Sequence, residues 1–174
     1  YAAQHGTAWG APFPVTFNGL FDAFGAYGGS GATLGLVIAL ILFSKAKDQK
    51  SIAKLSLAPG IFNINEMVIF GLPIILNPIY IIPFVLAPIV NIIIGYSATC
   101  IFKIIPPVAY GVPWTTPGPL IPFLGTGGNV LALLIGVLCL AVSVLIYAPF
   151  VIAAGKASQV DDDNSEKDTT EGLA

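Results

Sequence analysis

Arginine is absent from this sequence, and charge of either sign is scarce. Only 9% of the 174 residues are Asp, Glu, Lys or Arg, and all seven basic residues are lysines. An ordinary soluble domain carries about 25% charged residues. With 56% hydrophobic residues, too few polar groups remain here to cover a water-facing surface. Two cysteines exclude a disulfide scaffold. A net charge of −2 and the lack of a basic patch exclude nucleic acid as a partner. The single histidine, His5, lies in a Gly/Ala-rich stretch and reads as an ordinary loop residue. Cys100 and Cys139 sit in apolar segments without a Cys-x-x-Cys pattern, so neither a metal nor a redox pair is expected, and no cofactor. The solvent these residues suit is a lipid bilayer. No initiator Met or leader pattern precedes Tyr1, and the expectation is a piece of a longer chain.

What is abundant is apolar sequence punctuated by glycine and proline. The clearest transmembrane helix runs from Val130 to Ala154 without a charge. At about 1.5 Å per residue it is long enough for a hydrocarbon core of about 30 Å. A second candidate, Phe17 to Phe43, is interrupted by Gly28, Gly29, Ser30 and Gly31, and should form two helical pieces joined at a kink. The glycines follow no strand and lack the lysine of a phosphate-binding loop, so close packing or a hinge is the better reading. Pro73, Pro78, Pro83 and Pro88 recur inside the next apolar run. Each removes a helix hydrogen bond, so residues 67–96 should form a broken helix, most regular from Phe84 to Tyr96. Segments 55–73 and 106–128, the latter with six prolines, are apolar yet irregular. At membrane depth such backbone is tolerated only inside protein or beside a water-filled cavity, so both are expected to be re-entrant.

The fold class expected is therefore all-α and integral to the membrane, with broken transmembrane helices and re-entrant hairpins. A membrane domain would cover residues 1–154, and residues 155–174 form an acidic, disordered tail. Lys45, Lys47, Lys50 and Lys54 place their polar loop on the cytoplasmic side. Lys156 suits the same side, which requires two crossings between them.

Glu66 is the one acid between Leu55 and Gly155. Such a carboxylate costs roughly 2.5–3.5 kcal/mol in lipid unless it is paired, protonated or wet. A substrate- or proton-binding role is favoured over simple capping of a half-helix. Asn63 and Asn65 add amides that could serve sugar hydroxyls, or could satisfy backbone freed by Pro59 and Gly60. Trp114, between Pro113 and Pro117, could stack on a sugar ring or sit in an interfacial belt; Thr115 beside it adds a hydroxyl. Trp9 reads as a belt residue. Asp22 could cap a helix or pair with Lys103, and no substrate role is expected of it.

Four segments, GGSGATLGL (28–36), LAPGIFNINE (57–66), VIFGLPIILNP (68–78) and VPWTTP (112–117), occur in this order. Together they resemble the C-terminal part of enzyme IIC, the sugar permease component of the bacterial phosphoenolpyruvate-dependent phosphotransferase system, in its lactose/cellobiose/diacetylchitobiose family. The likeness covers residues 16–154, with Met67 standing where the family usually has proline. It implies a multi-pass protein of the bacterial plasma membrane, a homodimer when full length, whose C-terminal half holds the sugar and moves as a transport domain. It further implies that Asn65, Glu66 and Trp114 contact a disaccharide, Glu66 at the hydroxyl to be phosphorylated and Trp114 on a ring face. The phosphoryl group would arrive from a phosphocysteine of enzyme IIB, itself supplied by enzyme IIA, so this chain alone performs no chemistry. An ion- or proton-coupled secondary sugar transporter is the rival reading.

Overall fold

The computed structural model describes residues 1–6 and 8–171, with side chains described except at residues 75 and 157–171. Every regular element among them is helical. After a short α1 (Ala2–His5), a π-helical stretch Asn18–Gly25 leads through the glycine segment to α2 (Thr33–Phe43). Helix α3 (Lys47–Ile61) and α4 (Glu66–Gly71) follow, then α5 (Pro78–Tyr96) with a π-helical end Ser97–Ile101. A proline-rich loop carries the short α6 (Leu120–Gly125) to α7 (Val130–Glu171). Three stretches are long and apolar enough to cross a membrane: Asn18–Phe43, Pro78–Ile101 and Val130–Lys156. The chain is thus a multi-pass membrane protein, as its composition requires.

The kink expected at the glycines is present. Gly28, Gly29 and Gly31 have φ values of 79°, 86° and 79°. A side chain at Gly31 would meet the ring of Phe84 at 2.2 Å, so the turn needs both the conformational freedom and the bare Cα.

Two expectations are corrected. The proline run breaks the helix only once: α4 ends at Gly71, and α5 then starts at Pro78 and continues through Pro83 and Pro88 rather than becoming regular at Phe84. Pro78 stands at the start of the helix, where its missing N–H is no loss, and Asn77 caps it by accepting from the N–H of Ile79 at 2.9 Å. Pro83 is buried and Pro88 partly so. The helix packs against the first span and α7, and prolines in a membrane helix are tolerated where neighbouring helices lie against it. Second, the lysine-rich segment is not a loop beyond Lys47, because α3 begins there and runs on through Pro59. The acidic tail expected from residue 155 lies, beyond Lys156, outside the residues whose side chains are described.

One face of α5 is buried at Tyr80, Pro83, Ala87, Asn91 and Gly95, a helical spacing, while Ile82, Val85, Ile89 and Ile93 stay exposed to the surroundings. Small residues bring the spans together. A Cβ on Gly35 of α2 would lie 2.6 Å from Ser143 of α7, and one on Gly95 would strike the Phe24 ring. Asn91 donates from Nδ2 to Ser143 Oγ at 2.8 Å, and Ser143 donates to the carbonyl of Cys139 at 2.9 Å. Pairings of Gly31 with Phe84 and of Phe24 with Gly95 make the first span and α5 antiparallel. Leu42, Phe43 and Lys45 share a cavity with Val151, Ile152 and Lys156, so α2 runs parallel to α7 and ends level with residues 151–156 of it. The two lysine groups therefore emerge at one end of the bundle, as two crossings between them require.

Candidate functional site

The polar residues singled out by sequence converge on the glycine kink. Asn63 ends the α3–α4 turn in a left-handed conformation, φ 63°, which asparagine tolerates better than most residues. Only 8% of it is exposed. The Gly28 N–H donates to its Oδ1 at 2.7 Å. Its Nδ2 donates to the carbonyls of Trp114 at 2.6 Å and Thr116 at 2.9 Å. One side chain thus joins the broken first span, the α3–α4 turn and the proline-rich loop. The amide is committed to backbone groups far along the chain, not to backbone freed by Pro59 and Gly60.

Asn65 precedes α4, and its carbonyl accepts from the N–H groups of Val68 and Ile69. Its Nδ2 donates to the Ser30 carbonyl at 3.0 Å. Its side chain covers Gly29 so closely that any Cβ there would lie 2.7 Å from the amide. The glycine loop is held from the other side by α7: the Tyr147 hydroxyl donates to the Gly31 carbonyl at 2.6 Å. Thr33 Oγ1 donates back to the Gly28 carbonyl.

Glu66 opens the first turn of α4, where the positive helix end favours a carboxylate. It is exposed and makes no hydrogen bond or ion pair with any described residue, so its oxygens are available. Trp114 is 64% exposed, and only its backbone carbonyl is engaged by Asn63. Thr115 is likewise exposed. The structure therefore gathers Asn63, Asn65 and the Trp114 loop, and leaves the Glu66 carboxylate and the Trp114 ring free at the surface.

A cavity of about 100 Å³ lies against this junction, lined by Asp22, Ala26, Gly29, Asn63, Val112, Trp114 and Ile121. Asp22, Val112 and Ile121 also border a neighbouring cavity of about 540 Å³ that reaches Tyr110 and the N-terminal segment. Asp22 is the residue that sequence reasoning undervalued: it forms no ion pair with Lys103 among the described residues and instead faces both cavities. Its place six residues before the glycine kink was the available signal. His5 stacks on Tyr1 with ring centroids 4.1 Å apart. No group of metal-ligating side chains occurs among the described residues.

Comparison with known proteins identifies the family and the fold. The family model "Phosphotransferase system, EIIC" matches residues 2–88. The cellobiose-specific EIIC component of Lactococcus lactis subsp. lactis (strain IL1403) is 49% identical over 146 residues, which are 84% of this chain and 29% of that protein. The lactose-specific EIICB component of Staphylococcus aureus is 35% identical over 153 residues, covering 84% of this chain and 25% of its own length. The crystal structure of the transporter ChbC, the IIC component from the N,N'-diacetylchitobiose-specific phosphotransferase system, superposes with a TM-score of 0.76 at 40% identity, covering 82% of this chain and 33% of that one. The chain spans about a third or less of the length of these relatives. A family match over half of the chain, joined to the same fold, places it plainly: it belongs to the EIIC family of the phosphotransferase system.

Proposed function

We propose that this chain is the sugar-holding part of a phosphotransferase-system permease in the bacterial plasma membrane, carrying a disaccharide of the cellobiose, lactose or chitobiose class. The observation that carries the reading is the Asn63 junction, which sets Trp114 and the α4 turn with Glu66 around one glycine kink. Trp114 stacks on a sugar ring, and Asn65 holds the glycine backbone in place and turns the chain into α4. Glu66 accepts a hydrogen bond from the hydroxyl that receives the phosphoryl group, with Thr115 nearby as a further donor. Sites for molecules of this size usually enclose about 300–1,000 Å³. The cavity beside Trp114 holds about 100 Å³, so the longer protein supplies further walls. Residues 1–154 act as a transport domain in this reading, and the whole protein works as a homodimer. Enzyme IIB, recharged by enzyme IIA, donates the phosphoryl group from outside this chain.

The experiment is sugar uptake in cells carrying the intact protein, followed by its phosphorylated product. Accumulated sugar should be phosphorylated and should require phosphoenolpyruvate and enzyme IIB. Glu66→Gln should abolish accumulation while leaving membrane insertion intact, because losing a charge-assisted hydrogen bond costs roughly 1.5–3 kcal/mol. Unphosphorylated sugar accumulating without IIB and lost on addition of an uncoupler would make the protein an ion-coupled carrier instead.

A further inference from the structure

The cavity between the end of α2 and residues 151–156 of α7 serves none of the roles described above. It encloses about 370 Å³, with walls of Leu42, Phe43, Val151 and Ile152 and with Gly155, Lys45 and Lys156 around them. The space beside Gly155 is open, since a Cβ there would meet nothing within 4 Å. Leu42, Phe43 and Ile152 are exposed, so the walls continue onto an exposed apolar surface. Among the described residues no acidic side chain lines the cavity. Lys45 and Lys156 are exposed and form no ion pair with any described residue.

We propose that this cavity binds an anionic phospholipid, its headgroup phosphate between the ammonium groups of Lys45 and Lys156 and an acyl chain along Leu42, Phe43 and Ile152. The order of chemistry along the cavity is that of the lipid: two positive charges at the end of two spans, then apolar wall. Basic pockets between transmembrane helices are suited to anionic headgroups, and lysine stems reach such a level from an apolar surface. The negative end of α2 opposes an anion with about half a charge. Two lysines outweigh it fourfold, so the mouth stays positive. A free phosphate would gain nothing from the apolar walls, which is why a lipid fits better. One bound lipid would clamp the end of α2 to α7, below the glycine kink that joins α2 to the site. This inference does not depend on which sugar is carried.

The test is thermal unfolding and native mass spectrometry of the intact protein in an uncharged detergent. Phosphatidylglycerol, phosphatidylcholine with the same acyl chains, and inorganic phosphate are added separately. Phosphatidylglycerol should raise the melting temperature and remain bound, and the other two should not. A basic residue near a membrane surface contributes about fivefold in anionic-lipid affinity. Lys45→Gln with Lys156→Gln should therefore weaken phosphatidylglycerol binding about 25-fold and leave the lipid-free melting temperature unchanged, and Lys103→Gln should alter neither quantity. Equal responses to both lipids, or undiminished binding in the double variant, would overturn the proposal. So would a phosphate response as large as that to phosphatidylglycerol, which would mark a plain anion site. Indifference to every addition would show the cavity covered by the rest of the protein, and would overturn it equally.

Discussion

Replacing Asn63 should dismantle the junction without touching any group that faces the sugar. In Asn63→Gly the left-handed backbone is kept at no cost, so the change isolates the amide. The Gly28 N–H is then left buried without its acceptor, and such a group costs about 1–3 kcal/mol. The carbonyls of Trp114 and Thr116 lose donors but lie on a more exposed loop, so about 0.5–1.5 kcal/mol each is the appropriate scale. The total is roughly 2–6 kcal/mol, and its lower end corresponds to about 30-fold in an equilibrium constant. Disaccharide affinity of the intact protein, measured by calorimetry in detergent, should fall by at least that factor, and the melting temperature should drop with it. Asn63→Ala should be worse than Asn63→Gly, because a Cβ in this conformation adds about 1–2 kcal/mol. Asn63→Asp keeps an acceptor for Gly28 but points a carboxylate at two carbonyls, and should resemble the alanine variant. If Asn63→Gly binds sugar within a factor of two of wild type, the three hydrogen bonds do not hold the site, and the reasoning fails.

Three further expectations concern other parts of the molecule. Trp114→Ala should lose most sugar affinity and Trp114→Phe should regain part of it, whereas a belt residue would tolerate either; sugar should also shift Trp114 fluorescence in a Trp9→Phe background. Gly35→Leu should separate α2 from α7, since even a Cβ there would lie 2.6 Å from Ser143, and the folded yield in detergent should collapse. A melting temperature like that of wild type would contradict the packing. Single cysteines at Gln49 and Ser165, with Cys100 and Cys139 removed, should resist an impermeant thiol reagent in intact cells, because the lysine bias places both on the cytoplasmic side. Labelling of either from outside would reverse or break the topology.

Composition and local pattern were enough for the solvent, the first and last spans and the kink. Nine per cent charge leaves no alternative to a bilayer, an uncharged run from Val130 to Ala154 can hardly do other than cross it, and Gly28 to Gly31 cannot sustain a regular helix. These are local properties, set by composition and by neighbours a few residues apart. The tertiary structure decided everything that depended on a distant partner. Asn63 could have served its own turn, but packing gave it partners 35, 51 and 53 residues away. Pro83 and Pro88 carry the usual helix penalty in isolation, and the elements packed over them made it bearable, so α5 begins at Pro78. Asp22 had an apparent counter-ion in Lys103, yet the fold turned it toward two cavities instead. Lys45 and Lys156 lie far apart in the chain and border one cavity only because α2 and α7 run parallel. A hydrogen bond or a shared wall depends on which surfaces meet, and that is a property of the packed bundle that no short stretch of residues contains.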